Sequence, residues 1–155
     1  MATPNAKLLE RDDTHARDRA IMVSRHLRAR GIVDPLVLAA MGKVPREAFV
    51  PDHLAEFSYE DSALPIESGQ TISQPYIVAS MIELLALEPG DNVLEVGAGS
   101  GYAAAVLSHI AGQVYAIERH EQLATEARER LKALGYANTE IIFGDGTKGL
   151  SLIHI

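Results

Sequence analysis

The sequence predicts an α/β protein built on a parallel sheet with right-handed crossovers, preceded by a helical extension. Three observations carry this. Short apolar stretches alternate with helical ones in 92-NVLEV-96, 101-GYAAAVLSHIA-111, 113-QVYAIE-118, 121-EQLATEARERLKALG-135 and 139-TEIIFGDG-146, and strand, helix, strand, helix, strand is the order that winds a parallel sheet. Each of the three strands ends in an acid: Glu95, Glu118 and Asp145. The first strand also runs into Gly97-Ala98-Gly99-Ser100-Gly101, a turn of the kind that opens a helix beneath a ligand.

From the N-terminus, residues 14 to 30 read as a helix ended by Gly31. Asp34 followed by Pro35 is an N-cap and a first-turn proline, opening a short helix to about Met41. The segment 42-GKVPREAFVPDHLAEFSYEDSALPIESGQ-70 is irregular, and Phe49, Val50, Leu54, Phe57, Tyr59 and Leu64 in it need burying, so it is expected to wrap the core. From Pro75 to Leu87 the spacing of Ile77, Val78, Met81, Ile82, Leu84 and Leu85 predicts a helix, closed by the turn Glu88-Pro89-Gly90-Asp91. Glu126 and Arg130 stand four apart on the last helix, the spacing of a stabilising pair. The parts are an N-terminal helical and wrapping segment over 1–70, an incomplete α/β part over 71–149, and a tail over 150–155.

With 155 residues, 47% apolar and 23% charged, the chain has the make-up of one ordinary globular domain. It has no cysteine, which removes disulfides, thiolate metal sites and cysteine nucleophiles and suits a reducing cytoplasm. No apolar run reaches membrane-spanning length and no signal peptide is visible, so no membrane contact is expected. The six histidines show no paired metal spacing, so no metal is expected.

The formal net charge of −7 is unevenly spread: residues 1–50 hold nine Lys/Arg against six Asp/Glu, and residues 51–155 hold five against fifteen. Arg17, Arg19, Arg25, Arg28 and Arg30 lie in the basic third. They read as a solvated helix face rather than a nucleic-acid contact, since the rest of the chain repels phosphate. A monomer is the default expectation.

The glycine pattern narrows the ligand. A dinucleotide fingerprint wants its third glycine at the place taken by Tyr102, and a phosphate-cradling P-loop wants Gly-Lys-Ser/Thr, which is missing. A helix end attracts a small anion such as a carboxylate, while Glu95 attracts an ammonium; an amino-acid group satisfies both. Glu118, twenty-one residues after Gly97, stands where an acid accepts hydrogen bonds from ribose hydroxyls, and Asp145 is placed to accept from an adenine amino group. Together they describe S-adenosylmethionine. Singly, each piece has a plain structural reading: punctuating glycines, a charged strand end, a turn aspartate.

The stretches 44-VPREAFVP-51, 69-GQTISQPYIVA-79, 93-VLEVGAGSGYAAAVLS-108, 114-VYAIER-119 and 144-GDGTKG-149 resemble the protein-L-isoaspartate (D-aspartate) O-methyltransferases, over roughly residues 20–149. The resemblance implies a Rossmann-like class I methyltransferase fold and transfer of a methyl group from S-adenosylmethionine to the α-carboxylate of L-isoaspartyl residues in damaged peptides and proteins. It implies Ser73 as the active-site residue, with Thr71, Ile72 and Ser73 against cofactor and substrate. Glu95, Gly97, Ala98, Gly99, Ser100 and Gly101 would hold the methionine part, Glu118 and Arg119 the ribose side, and Asp145 with Gly146 the adenine.

Spacing alone makes Gln74 or Ser73 the cap of the helix that Pro75 opens and favours Ser73 as a capping serine. Tyr59, Asp61 and Ser62 are candidate peptide contacts, with core packing or plain exposure the favoured account. After 144-GDGTKGL-150 the chain ends in SLIHI, where the family continues with further strands, so a truncated chain with a foreign tail is expected. Two other readings stand beside repair: a non-catalytic fragment with residual cofactor binding, and a class I methyltransferase acting on RNA or a small molecule.

Overall fold

A computed structural model describes residues 14–149; the expected tail over 150–155 lies outside the described residues, as does His154. The N-terminal layer begins with α1 (Ala16–Ile21), which continues as a π-helical segment (Met22–Leu27) and a 3-10 turn (Arg28–Arg30) and stops at Gly31, whose φ of 101° only glycine adopts readily. Next comes α2 (Pro35–Lys43), two residues longer than predicted. Asp34 caps it as expected, its Oδ1 accepting from the N–H of Leu36 at 2.8 Å and of Val37 at 3.4 Å, a cap contributing about 1 kcal/mol.

The wrapping segment folds as 3-10 turns (Arg46–Phe49 and Asp52–Phe57) and a small antiparallel pair, β1 (Leu64–Pro65) with β2 (Thr71–Ile72). Phe49, Val50, Tyr59 and Leu64 are buried and Leu54 packs partly against the core. Phe57 corrects the expectation: it is 38% exposed at the end of a 3-10 turn that buries none of its residues.

α3 (Pro75–Leu85) ends two residues before the predicted stop because Ala86 takes a left-handed backbone, φ 49°, and donates to the carbonyl of Glu83 at 3.0 Å. Pro75, Val78, Ala79 and Ile82 are buried and Tyr76 packs partly against the core, while Ile77, Met81, Leu84 and Leu85 are exposed. Glu83 ties α3 to α2, accepting from the N–H groups of Val33 at 2.8 Å and Asp34 at 2.7 Å.

The sheet contains β3 (Asn92–Val96), β4 (Gln113–Glu118) and β5 (Thr139–Phe143), parallel and in that order, so β4 is central. Val96 aligns with Ile117, and Glu118 with Phe143, bringing the three strand ends level. α4 (Tyr102–Ser108) packs on β4 and on α2, and α5 (Glu121–Ala133) packs on β5 and β4. α4 stops three residues early: Asn138 donates its side-chain N–H to the carbonyls of Ser108 at 2.9 Å and Ala111 at 3.2 Å, so the carbonyls of the final turn are satisfied without more helix.

The predicted Glu126 and Arg130 pair does not form. Arg130 donates to the carbonyl of Ser100 at 2.8 Å and Glu126 accepts from Gln122 at 2.8 Å, since a fixed backbone carbonyl within reach competes well with an exposed carboxylate.

The arginines of the N-terminal layer are not one solvated face. Arg19 is buried, donating to the Tyr59 hydroxyl at 2.8 Å and pairing with Glu47 at 3.5 Å. Arg30 pairs with Asp61 and lies over the Tyr76 ring, 3.9 Å from its centroid. Packing is therefore the structural account of Tyr59 and Asp61. No helix among the described residues is long and apolar enough to cross a membrane.

Candidate functional site

The turn after β3 is shaped by its glycines. Gly97, Gly99 and Gly101 all have positive φ, at 89°, 55° and 94°. Gly101 also has no room for a side chain: a Cβ there would lie 3.2 Å from Leu131 Cδ1 and 3.5 Å from Ala127 Cβ, so this glycine lets α5 approach the turn.

Glu118 locks the turn in place. It is 4% exposed, and its Oε2 accepts from the N–H of Gly99 while its Oε1 accepts from the N–H of His120, both at 2.9 Å. The strand-end acid thus pins the glycine turn as well as facing the crevice.

A cavity of about 350 Å3 opens above these strand ends, within the size range of small-molecule sites. Thr71, Gly97, Gly99, Glu118, Arg119, Asp145 and Gly146, all named from sequence, line it. Ala98, Ser100 and Gly101 do not: Ala98 and Ser100 are buried, and Ser100 offers its carbonyl to Arg130. Ile72 is buried in the β1–β2 ribbon, which turns Thr71 outward, and Ile66 of the same ribbon would meet a Cβ on Gly99 at 3.5 Å. The ribbon therefore packs against the glycine turn.

The cavity also has walls that sequence reasoning missed. Gln70 stands immediately before Thr71, and Val96 and Ile117 lie at the carboxyl ends of β3 and β4, as ligand contacts in parallel sheets do. Thr147 follows Asp145 and holds it: Asp145 Oδ1 accepts from the Thr147 N–H at 3.0 Å and hydroxyl at 2.7 Å, which lowers the carboxyl pKa and keeps it ionised.

Glu95 sits at the end of β3, one residue before Val96. Its Oε2 is buried without a hydrogen-bond partner. Burial, with the nearby Glu118 charge, pushes its pKa up to about 8. A buried carboxyl oxygen without a partner is costly, and a cation reaching it would be favoured.

Ser73 is exposed between β2 and α3. It is not the cap: Gln74 is the N-cap residue, without a side-chain bond, and Pro75 supplies no N–H to be capped. The Ser73 hydroxyl has no hydrogen-bond partner among the described residues, while its carbonyl accepts from Arg46 Nη2 at 2.8 Å.

Tyr102, which displaces the third dinucleotide glycine, is buried. Its ring meets Phe49 edge-on at 5.7 Å and its hydroxyl lies 3.7 Å from Met41 Sδ. The side chain points into the N-terminal layer and pins α4 to it, so this layer is integral to the site.

The model of the protein-L-isoaspartate (D-aspartate) O-methyltransferase family matches residues 17–152. The chain belongs to that family. A Pelobacter propionicus protein-L-isoaspartate O-methyltransferase is 62% identical over 131 residues, which is 84% of this chain and 58% of the relative. Among solved structures, a protein-L-isoaspartate O-methyltransferase superposes with a TM-score of 0.75 at 31% identity, over 85% of this chain and 44% of the other. A Plasmodium falciparum protein described as a protein-L-isoaspartate O-methyltransferase, in complex with S-adenosyl-L-homocysteine, gives 0.68 at 27% identity, over 81% and 62%. The chain spans less than two thirds of the length of the curated relatives it matches.

One residue of the cavity tests its walls directly. A Cβ on Gly146 would clash with Val96 Cγ1, and valine, branched at Cβ, has few rotamers into which to retreat. Gly146→Ala is expected to weaken binding of S-adenosylhomocysteine by about tenfold, roughly 1.4 kcal/mol, and to lower the unfolding midpoint as Val96 shifts to relieve the clash. Titration calorimetry on both proteins checks this; unchanged affinity would mean that the ligand does not use this wall.

Proposed function

We propose that the chain carries the cofactor site and the substrate-facing serine of an enzyme that methylates the α-carboxylate of L-isoaspartyl residues in damaged proteins. The observation that carries this reading is that one cavity gathers Thr71, the glycine turn, Glu118 and the Asp145–Gly146 pair, four segments separate in sequence.

The residues present fit S-adenosylmethionine. The positive-φ glycine turn leaves backbone open at Gly97 for close approach, where a Cβ would meet nothing within 4 Å. Glu95 would take the ammonium, Glu118 the ribose hydroxyls with Arg119 at its side, and Asp145 and Gly146 the adenine. When bound, the cofactor supplies an electrophilic sulfonium methyl group, which a carboxylate oxygen accepts while the electron pair of the broken C–S bond stays on sulfur and no proton moves.

An isoaspartyl carboxylate is ionised at neutral pH, so the chain need not supply a base. Ser73 donates a hydrogen bond that orients the carboxylate, and positioning of this kind contributes several kcal/mol to a rate. A cytoplasmic location, in keeping with the cysteine-free composition, and a monomeric state are part of the proposal. The reading as an RNA methyltransferase has less behind it, because Arg19 and Arg30 are engaged within the N-terminal layer and, among the described residues, only Arg17, Arg25 and Arg28 of the five arginines stay exposed outside an ion pair. Binding without transfer by these 155 residues is the second reading, favoured by the exposed apolar side chains Met81, Leu84, Val96 and Phe143 around the sheet and α3.

Transfer of labelled methyl from S-adenosylmethionine to an isoaspartyl peptide, against the matching aspartyl peptide, tests the proposal. Base-labile label on the isoaspartyl peptide alone is expected, and Ser73→Ala is expected to slow it by about a hundredfold with cofactor affinity retained. Equal labelling of both peptides would overturn the substrate assignment; binding without label would leave the second reading.

A further inference from the structure

Arg46 lies in no wall of the cavity, yet it is the largest fully buried side chain among the described residues, at 0% exposure. Its Nε donates to the Ser58 carbonyl at 2.7 Å and its Nη2 to the Ser73 carbonyl at 2.8 Å. The guanidinium lies over the Tyr102 ring, 4.7 Å from the centroid, and Nη1 has no partner. Burial lowers its pKa, and no carboxylate forms an ion pair with it among the described residues, Glu47 being engaged with Arg19.

A buried cation without a carboxylate in direct contact is costly to desolvate. What the arginine does here is local and specific. Ser73 lies between β2 and α3 where no side chain caps the helix, and Arg46 is the group that holds its peptide. Tyr102, under the same guanidinium, directly follows Gly101 of the glycine turn. One rigid, planar fork therefore ties the segment bearing the exposed serine to the first residue of the helix that the cofactor turn opens.

We propose that Arg46 is a positioning residue for Ser73, fixing the serine relative to the glycine turn without touching substrate or cofactor. This rests on the role given to Ser73 above. The test uses the full chain and the variants Arg46→Lys, Arg46→Met, Ser73→Ala and Arg46→Met with Ser73→Ala. Thermal unfolding, S-adenosylhomocysteine affinity, amide exchange over residues 71–78, and kcat and KM for an isoaspartyl peptide are measured for each.

Lysine keeps the charge but lacks the planar fork whose Nε and Nη2 each meet one carbonyl, and methionine donates to neither. Both are expected to lower kcat at least tenfold with cofactor affinity within about threefold, and to speed exchange over residues 71–78. Arg46→Met should lose stability, because it leaves the Ser58 and Ser73 carbonyls without that donor, and kcat of the folded protein should fall with it, whereas a merely structural arginine would lose stability with kcat of the folded protein unchanged. In the Ser73→Ala background, Arg46→Met should cost less than a further twofold. Independent, multiplicative losses in the double variant, or unchanged kcat in both Arg46 variants beside a slow Ser73→Ala, would overturn the inference alone. A parent chain that binds S-adenosylhomocysteine but transfers no methyl group, or a Ser73→Ala variant as fast as the parent, would overturn the reading beneath it as well.

Discussion

Glu118→Gln is expected to raise the dissociation constant for S-adenosylhomocysteine at least about a hundredfold, close to 3 kcal/mol, and to destabilise the fold by about 2–3 kcal/mol. Both oxygens of the parent carboxylate accept from backbone N–H groups, Gly99 on one side and His120 on the other. Glutamine offers one oxygen and one NH2 group, so whichever way it sits, a donor faces a donor. One N–H loses its partner at a side chain that is 4% exposed, and the charge-assisted bond to the other becomes a neutral one. If Gly99 is the one released, the glycine turn that lines the cavity loses its anchor; in either case the acceptor proposed for the ribose is weakened. Calorimetry and thermal unfolding measure both effects. A large loss of stability with affinity intact would mean that Glu118 only builds the turn and does not meet a ligand.

Glu95→Gln should move stability and binding in opposite directions. In the parent, the Glu95 pKa rises from 4.5 unfolded to about 8 folded, chiefly through burial and secondarily through the Glu118 charge. Because the folded value is the higher, the folded state holds more protons between about pH 4.5 and pH 8, and stability falls as pH rises through that window at about 1.4 kcal/mol per pH unit. Glutamine removes this dependence, so the variant should gain on the parent through the window, by an amount on the order of 3 kcal/mol near pH 7.

The ammonium of the ligand would lose its carboxylate in the variant, and affinity should fall by ten- to a hundredfold, about 1.4–2.8 kcal/mol. The parent should also release about one proton per ligand bound at pH 7, seen as a dependence of the binding enthalpy on the buffer, and the variant should release none. A variant that binds as tightly as the parent, with equal proton release, would remove Glu95 from the site.

The elements that position the site were legible because their signals are short-range. Alternation of apolar and polar residues marks strand and helix within one element, Asp34-Pro35 marks a helix start within two residues, and glycines mark turns that need positive φ. The grouping of Glu95, Glu118 and Asp145 at one edge of the sheet follows from the parallel order, and the register steps them along it, Glu95 beside Ala116 and Glu118 beside Phe143. The family resemblance supplied Ser73, whose local pattern pointed instead to a helix cap that Gln74 occupies.

The sequence by itself determined the parallel α/β core, the glycine turn and the acids that line its crevice, because these depend on residue type and spacing along the chain. Only the tertiary structure decided which donor each polar group meets. It sent Arg130 to Ser100 rather than Glu126, turned Tyr102 into the N-terminal layer, left one Glu95 oxygen unpaired, and buried Arg46 between Ser58 and Ser73. The Arg130 and Arg46 bonds join residues 12 to 30 apart in sequence. A hydrogen bond of that span is chosen by which elements the packed core brings within about 3 Å of each other, and spacing along the chain does not contain that distance.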